Sequence, residues 1–409
     1  MIEDLDSEMR LRDIDGIVVF GETTLADPDL TYVTGGTLPR GGTYFKRTRR
    51  APLLVVSNLD YGNAKKLGRT KRVETYSQWG YEKLLKKYGK RDQAFPHLVS
   101  SVLAREGVRG KVVLFGRNDL AGGIQLADNL RRLGVKVVGQ RSPTILEAAR
   151  ERKDKHELEE IRSVGERTAK VVKEVLERLR NAKERRGRLI IARKPATIGL
   201  MKSMISSLLA ERGLIAPEGT IFAMGPSGAD PHNFGVPNEK IRKGKLIVFD
   251  IFPQAESAES GYWFDLTRTF VVGRADMKAR RIFAAVEEAQ NACMDYLKAG
   301  ETCESAMELA CSVIERAGYR TVRELFKDQA KSISSGFIHS LGHGVGLTIG
   351  ERPNLSFMNS ERLRAGHVVT VEPGVYLPGY GGVRIEDTVR ITSKGIENLA
   401  HIQSELELS

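Results

Sequence analysis

The chain has 409 residues, too many for one ordinary hydrophobic core, so its length predicts two domains. An apolar fraction of 41% with 28% charged residues excludes a disordered chain, and no apolar run approaches the roughly 20 residues that cross a bilayer. The net charge of +12 comes partly from clusters at FKRTRR (45–50), KKYGKR (86–91) and KERRGR (183–188), which are scattered and interleave with few aromatics; they read as solvated surface, so nucleic acid is not the expected partner.

The acidic N-terminal segment MIEDLDSEMRLRDIDG lacks the apolar core of a secretory signal, and a cytoplasmic location is expected. Four short β-branched runs follow: DGIVVFG (15–21), APLLVVS (51–57), KVVLFG (111–116) and VKVVG (135–139). Charged helical segments separate them, which predicts an α/β domain with a largely parallel sheet. The stretch EAARERKDKHELEE (147–160) marks a boundary, giving domains at 1–145 and 146–409. Beyond it Leu158, Ile161, Gly165, Thr168, Val172, Val175 and Leu179 recur at steps of three and four, one face of a long helix. Further helices are predicted over 197–211, 277–298 and 303–317. Cys293, Cys303 and Cys311 fall within or beside these helices, form no metal-binding spacing and read as buried free thiols. KLIVFDIFP (245–253) with GYWFDLTRTFVV (261–272), and GHVVTVEPGVYLP (366–378) with GGVRIEDTVRIT (381–392), read as two hairpins. The second domain is therefore α+β, with helices on one face of antiparallel sheet.

Those hairpins carry carboxylates where a buried strand wants apolar residues: Asp250 in LIVFDIF, Asp265 in YWFDL, Glu372 in VVTVEPG and Glu386 in VRIED. A buried carboxylate must protonate, pair or coordinate metal. Alternation onto a solvent face would also account for any one of them. Strand alternation puts Asp265 with Trp263 and Thr267, and Glu386 with Arg384 and Thr388. Histidine is scarce, seven in all, yet His339 and His343 sit four apart in the Gly-rich HSLGHGVGLTIGERP (339–353). Four carboxylates and one imidazole suit two divalent metals, with Mn, Co, Fe or Zn as candidates and a metal-bridged hydroxide as the reagent.

The series VFDIFP…GYWFDLTRTF, HSLGHGVGL…ERP, TVEPGVY, GGVRIEDTV resembles the pita-bread metallopeptidases, which include methionine aminopeptidase, prolidase, Xaa-Pro aminopeptidase and creatinase relatives. KPATIG…PHNFG fits the same domain, and DPDLTYVTGG fits a creatinase-like N-terminal domain, which favours the prolidase and Xaa-Pro aminopeptidase branch. The resemblance implies two divalent ions, Mn or Co favoured. Asp250 would be a terminal ligand, Asp265 and Glu386 the bridging pair, and His343 and Glu372 the ligands completing the other metal. It further implies Glu372 as proton shuttle, His232 and His339 near the substrate, Arg384 as a substrate-side arginine, a peptide substrate and a homodimer. Other readings of the second set stay open: His232 as a surface histidine, His339 as a satisfied core histidine, and Arg384 as a counter-charge to Glu386 or Asp387.

Two departures stand out. Asp250 and Asp265 lie fifteen apart, longer than the family's usual spacing, and QAESAESG (254–261) reads as a longer hairpin tip that keeps both in phase. Seven residues beyond His343, where the family commonly has His-Glu-x-Pro, the chain has Gly350 followed by Glu351, Arg352 and Pro353. Loss of one transition-state hydrogen-bond donor costs about 10²–10³ in rate. The expected function is therefore cleavage of the N-terminal Xaa-Pro bond of peptides or dipeptides, with a weaker or repurposed site as the alternative. That alternative covers a different amide substrate and nucleic-acid or protein binding; a creatinase-like amidinohydrolase is a third reading, disfavoured because that relative does not depend on the full metal set retained here.

Overall fold

The computed structural model describes residues 2–24, 27–35, 38, 40–185, 188–256, 260–327 and 329–409. They form two compact units, one spanning Met1–Arg150 and taking in Glu256–Gly261, the other comprising Glu151–Ala255 and Tyr262–Ser409.

The first unit is built on a six-stranded sheet of β1 (Gly16–Gly21), β2 (Gly42–Arg47), β3 (Leu53–Val56), β4 (Arg72–Thr75), β5 (Lys111–Phe115) and β6 (Lys136–Val137), in the order β4-β3-β2-β1-β5-β6. All four predicted strands are present, but β2 and β4 were not foreseen. β2 runs antiparallel to both its neighbours, so the sheet is mixed: β3/β4, β1/β5 and β5/β6 are the parallel pairs. The cationic FKRTRR hides β2. Lys46 within it is buried, and its ammonium is neutralised by Asp6 at 2.6 Å and bonded to the Arg47 carbonyl at 2.7 Å. A paired cation can occupy a strand position that an unpaired one could not. Helices α1 (Arg91–Glu106) and α2 (Leu120–Arg132) cover one sheet face, packing Val99, Val102, Leu126 and Leu130 against Val18, Phe45, Val55 and Val112.

The second unit opens with α3 (Lys155–Arg180). Asp154 and Glu157 form a reciprocal capping box, each carboxylate accepting the other's backbone N–H at 2.9 Å. The predicted stripe from Leu158 to Leu179 is buried at every position. At Gly165 a Cβ would stand 2.5 Å from the Phe264 ring, so only glycine lets the helix approach the segment leading to Asp265. Helices α4 (Ile198–Ala210), α5 (Met277–Tyr296) and α6 (Cys303–Arg316) end within two residues of their predicted limits. The three cysteines are free and buried where α5 and α6 meet Val369, Val371 and Val389. Among the described residues no helix is long and apolar enough to cross a membrane.

The strands of this unit that matter here are, in chain order, β7 (Thr220–Met224), β8 (Ile247–Ile251), β9 (Leu266–Val272), β10 (Gly342–Val345), β11 (Ile349–Leu355), β12 (Val368–Val371), β13 (Gly374–Leu377), β14 (Gly381–Arg384), β15 (Asp387–Ile391), β16 (Ile396–Asn398) and β17 (Glu407–Leu408). They form a four-stranded sheet, β7-β8-β9-β17, a five-stranded sheet, β11-β10-β12-β15-β16, and the ribbon β13-β14. β8 and β9 pair antiparallel with Asp250 opposite Thr267, as the first hairpin requires. The tip of that hairpin includes 257–259, which lie outside the described residues. The second hairpin is two ladders, β12/β15 and β13/β14, interrupted at Glu372–Pro373 and at Ile385–Glu386. An isolated bridge between Thr267 and Glu386 joins the two sheets at that interruption.

Candidate metal centre

The carboxylates converge because the ladders stop. Asp250 lies inside β8 and His343 inside β10, but Asp265 immediately precedes β9, Glu372 immediately follows β12, and Glu386 falls between β14 and β15. The expectation that all four carboxylates sit within regular strands is thus corrected for three of them. An unbroken ladder would turn successive side chains to opposite faces. A break, helped at 373 by a proline without an N–H, frees the chain to aim them at one point. Thr267 remains on the acidic side, its Oγ1 donating to Glu386 Oε2 at 2.6 Å, and Arg384 Nε donates to Thr267 Oγ1 at 3.3 Å. Thr388, expected to share the face of Glu386, instead donates to the backbone carbonyl of Asp265 at 2.8 Å.

Asp265, His343 and Glu386 offer ligand atoms that all lie within 4.8 Å of one another. His343 Nε2 stands 3.5 Å from Asp265 Oδ2 and 3.6 Å from Glu372 Oε1. Its Nδ1 lies 3.1 Å from the Gly344 carbonyl, an arrangement that assigns the proton to Nδ1 and leaves the Nε2 lone pair facing the carboxylates. Asp250 Oδ2 accepts from Arg384 Nη2 at 2.5 Å, and Arg384 Nε lies 3.9 Å from Glu372 Oε2.

This cluster is short of positive charge. Asp250, Asp265 and Glu386 are buried, and one oxygen of each, Oδ1, Oδ1 and Oε1 respectively, has no hydrogen-bond donor. Burial, reinforced by the neighbouring carboxylates, holds the carboxyls of Asp265 and Glu386 well above their usual range. Burial also pushes Glu372 up to about 8, with Arg384 opposing and Asp250 adding to the shift. Three orphaned carboxylate oxygens beside an imidazole lone pair fit divalent cations, which would satisfy the oxygens and remove the repulsion together.

The remaining expected residues fall in different places. His339 is partly buried and uses both ring nitrogens internally: Nδ1 pairs with the Ser340 carbonyl at 2.8 Å, and Nε2 accepts from the Tyr376 hydroxyl at 2.9 Å. Burial and the nearby Arg384 lower its pKa to about 3, so it is a neutral imidazole. His232 is exposed on a turn with its backbone N–H on Asp230. Arg384 joins Asp250 to Tyr376, whose hydroxyl accepts from Nη1 at 2.6 Å. Gly350 is exposed, has φ +74°, and an added Cβ would meet no atom within 4 Å. Its neighbours are engaged elsewhere, Glu351 with Lys153 at 2.5 Å and Arg352 with Glu151 at 2.7 Å.

Sequence reasoning missed Tyr376 and Thr370. Thr370 Oγ1 accepts from the His343 backbone N–H at 3.0 Å and reaches Glu372 Oε1 at 3.3 Å. Both residues lie in the TVEPGVY segment, where a hydroxyl on either side of Glu372 was the available signal.

Residues 159–393 match the model of metallopeptidase family M24. The chain belongs to that family. The Xaa-Pro dipeptidase of Pyrococcus furiosus is 30% identical over 384 residues, covering 93% of this chain and 94% of that protein. The solved prolidase of Pyrococcus horikoshii superposes with a TM-score of 0.75 at 26% identity, over 99% of each chain. The X-Pro aminopeptidase of Thermotoga maritima shares the fold, with a TM-score of 0.75 at 22% identity over 98% of this chain and 99% of that one. The M24 chain thus has the expected architecture, an α/β creatinase-like N-terminal part and an α+β pita-bread catalytic part. It is a metallopeptidase, and family membership implies divalent metal ions.

Proposed function

We propose that this metallopeptidase cleaves the N-terminal Xaa-Pro bond of dipeptides or longer peptides with two divalent ions, Mn or Co favoured, held by Asp250, Asp265, His343, Glu372 and Glu386. The observation that carries the reading is the set of three buried, unpartnered carboxylate oxygens on Asp250, Asp265 and Glu386 around His343. The Xaa-Pro choice rests on the relative named for that activity along nearly the whole chain. In this reading the carboxylates of Asp250, Asp265, Glu372 and Glu386 and the imidazole of His343 would together hold the ions. Bound divalent ions would supply Lewis-acid polarisation of the scissile carbonyl and a water acidified to near neutrality. Glu372 would take the proton from the attacking water and return it to the departing amine. Arg384 holds Asp250 in place through the Nη2 donor on its Oδ2. His232, which is exposed, would meet the substrate, while His339 would act through Tyr376 and Arg384.

A second reading, a different amide substrate, is supported by one observation: Gly350 is exposed, and an added Cβ there would meet no atom within 4 Å. The functional division at 145/146, a homodimeric assembly and a cytoplasmic location belong to the same proposal. Metal-stripped protein is reloaded with Mn or Co, metal content is measured, and Xaa-Pro dipeptides, longer Xaa-Pro peptides and non-prolyl dipeptides are assayed. Turnover restricted to Xaa-Pro bonds supports the first reading, and turnover of non-prolyl amides supports the second. No turnover across the panel with metal bound overturns both.

A further inference from the structure

Behind the carboxylates lies a buried polar network that the proposed chemistry does not use. Arg268 on β9 is 3% exposed, and all five of its N–H donors are placed. Nε donates to the Ile402 carbonyl at 3.0 Å, and Nη1 to the carbonyls of Thr267 at 2.8 Å and Glu386 at 2.6 Å. Nη2 donates to Asp387 Oδ1 at 2.8 Å and again to the Ile402 carbonyl. The second oxygen of Asp387 accepts from Gln290 Nε2, on α5, at 2.9 Å, and the same amide reaches the Val371 carbonyl at 3.4 Å. The network therefore grips the main chain at Glu386 itself and at the residue before Glu372.

Those are the two places where the β-ladders are interrupted. A regular strand fixes its backbone through cross-strand hydrogen bonds on both N–H and carbonyl. At the interruptions the N–H groups of Glu372 and Glu386 still donate to the Leu341 and Thr267 carbonyls, while the carbonyls of Val371 and Glu386 accept from side chains. Here the planar guanidinium fork of Arg268 and the amide of Gln290 supply substitutes from the side. Packing alone does not call for such groups, because apolar residues of similar volume often replace a buried ion pair without loss of stability. What apolar residues cannot do is hold two carbonyls at set positions.

We propose that Arg268, Asp387 and Gln290 are positioning residues that preorganise Glu386 and Glu372 for metal, and that they set the affinity of the site. The inference rests on the metal reading above. Groups that orient metal ligands from behind typically govern affinity by 10–100-fold (about that range).

The test uses the full-length chain, stripped of metal and titrated with Co(II) by calorimetry and visible absorption, with folding followed by circular dichroism. Arg268→Lys keeps the charge but loses the fork, and its Co(II) Kd should rise by about 10–100-fold with an altered visible spectrum. Gln290→Met removes only the amide and should raise Kd by a smaller factor, at least about threefold, with the fold intact; it decides the question if Arg268→Lys fails to fold. Wild-type Kd and spectrum in Gln290→Met, or lowered thermal stability without a change in Kd, overturns the inference. A wild-type chain that takes up no Co(II) overturns the metal reading along with it.

Discussion

Without metal, the acidic cluster should make the protein less stable as pH rises, and replacing Glu372 by Gln should remove a defined share of that loss. Glu372 is raised from 4.5 to about 8, chiefly by burial. A carboxyl whose folded pKa exceeds its unfolded one binds its proton more tightly when folded. Its contribution is favourable at low pH and is lost as pH climbs from the unfolded pKa through the folded one. For a folded value of about 8 the loss between pH 6 and pH 8.5 is about 2.5 kcal/mol, and most of it falls below pH 8. Distant titrating groups such as His367 act alike in wild type and Glu372→Gln, so the difference between the two reports the Glu372 carboxyl together with its repulsion of Asp265 and Glu386. The assay is urea unfolding of chelator-treated protein at pH 6 and 8.5. The stability of wild type relative to Glu372→Gln should fall by about 2.5 kcal/mol over that interval. Saturating Mn or Co should reverse the trend in wild type, because metal uptake needs the ionised carboxylates. A wild-type minus variant difference that stays constant within about 0.5 kcal/mol, or grows with pH, would refute the reasoning.

Asp265→Asn should abolish peptide hydrolysis, by about a thousandfold or more, and lower the bound-metal count measured by elemental analysis, because Asp265 lies at the centre of the cluster. Gly350→His places an imidazole in open space but at φ +74°, so it and the control Gly350→Ala should each lose about 1–2 kcal/mol of stability. If the missing donor limits the rate, kcat/KM of the histidine variant should exceed that of the alanine variant by up to about 10²–10³. Equal rates would assign Gly350 to substrate choice. His367 is buried and its pKa is lowered to about 3, chiefly by burial, so its stabilising share is complete above pH 6.5 and drains away as pH falls towards 3. His367→Gln should therefore lose about 3 kcal/mol less stability than wild type between pH 7 and pH 4 in urea unfolding.

The acidic cluster was legible because each carboxylate stood out against apolar, β-branched neighbours. The helices were legible because their stripes and terminal glycines follow local rules. What stayed hidden depends on contacts distant in sequence. β2 could not be read from FKRTRR because the partner that neutralises Lys46 is Asp6, forty residues away. The interruptions at Glu372 and Glu386 could not be read from VVTVEPG or VRIED, since a strand's end is decided by what its neighbour offers. Whether His339 is a substrate-side or a satisfied core histidine stayed open in the sequence because nothing in HSLGH shows that Tyr376 lies at its Nε2. In each case the residue type was informative and its partner was not.

The short strand β17 pairs in parallel with β9, the strand that carries Thr267 and Arg268, and the nearby Ile402 carbonyl takes two of the Arg268 donors. Residues 402–408 are the last in chain order of the elements described here, and a polypeptide lacking them would present a bare β9 edge and a guanidinium short of acceptors. Such a fragment is a target for aggregation or proteolysis rather than a partly active enzyme.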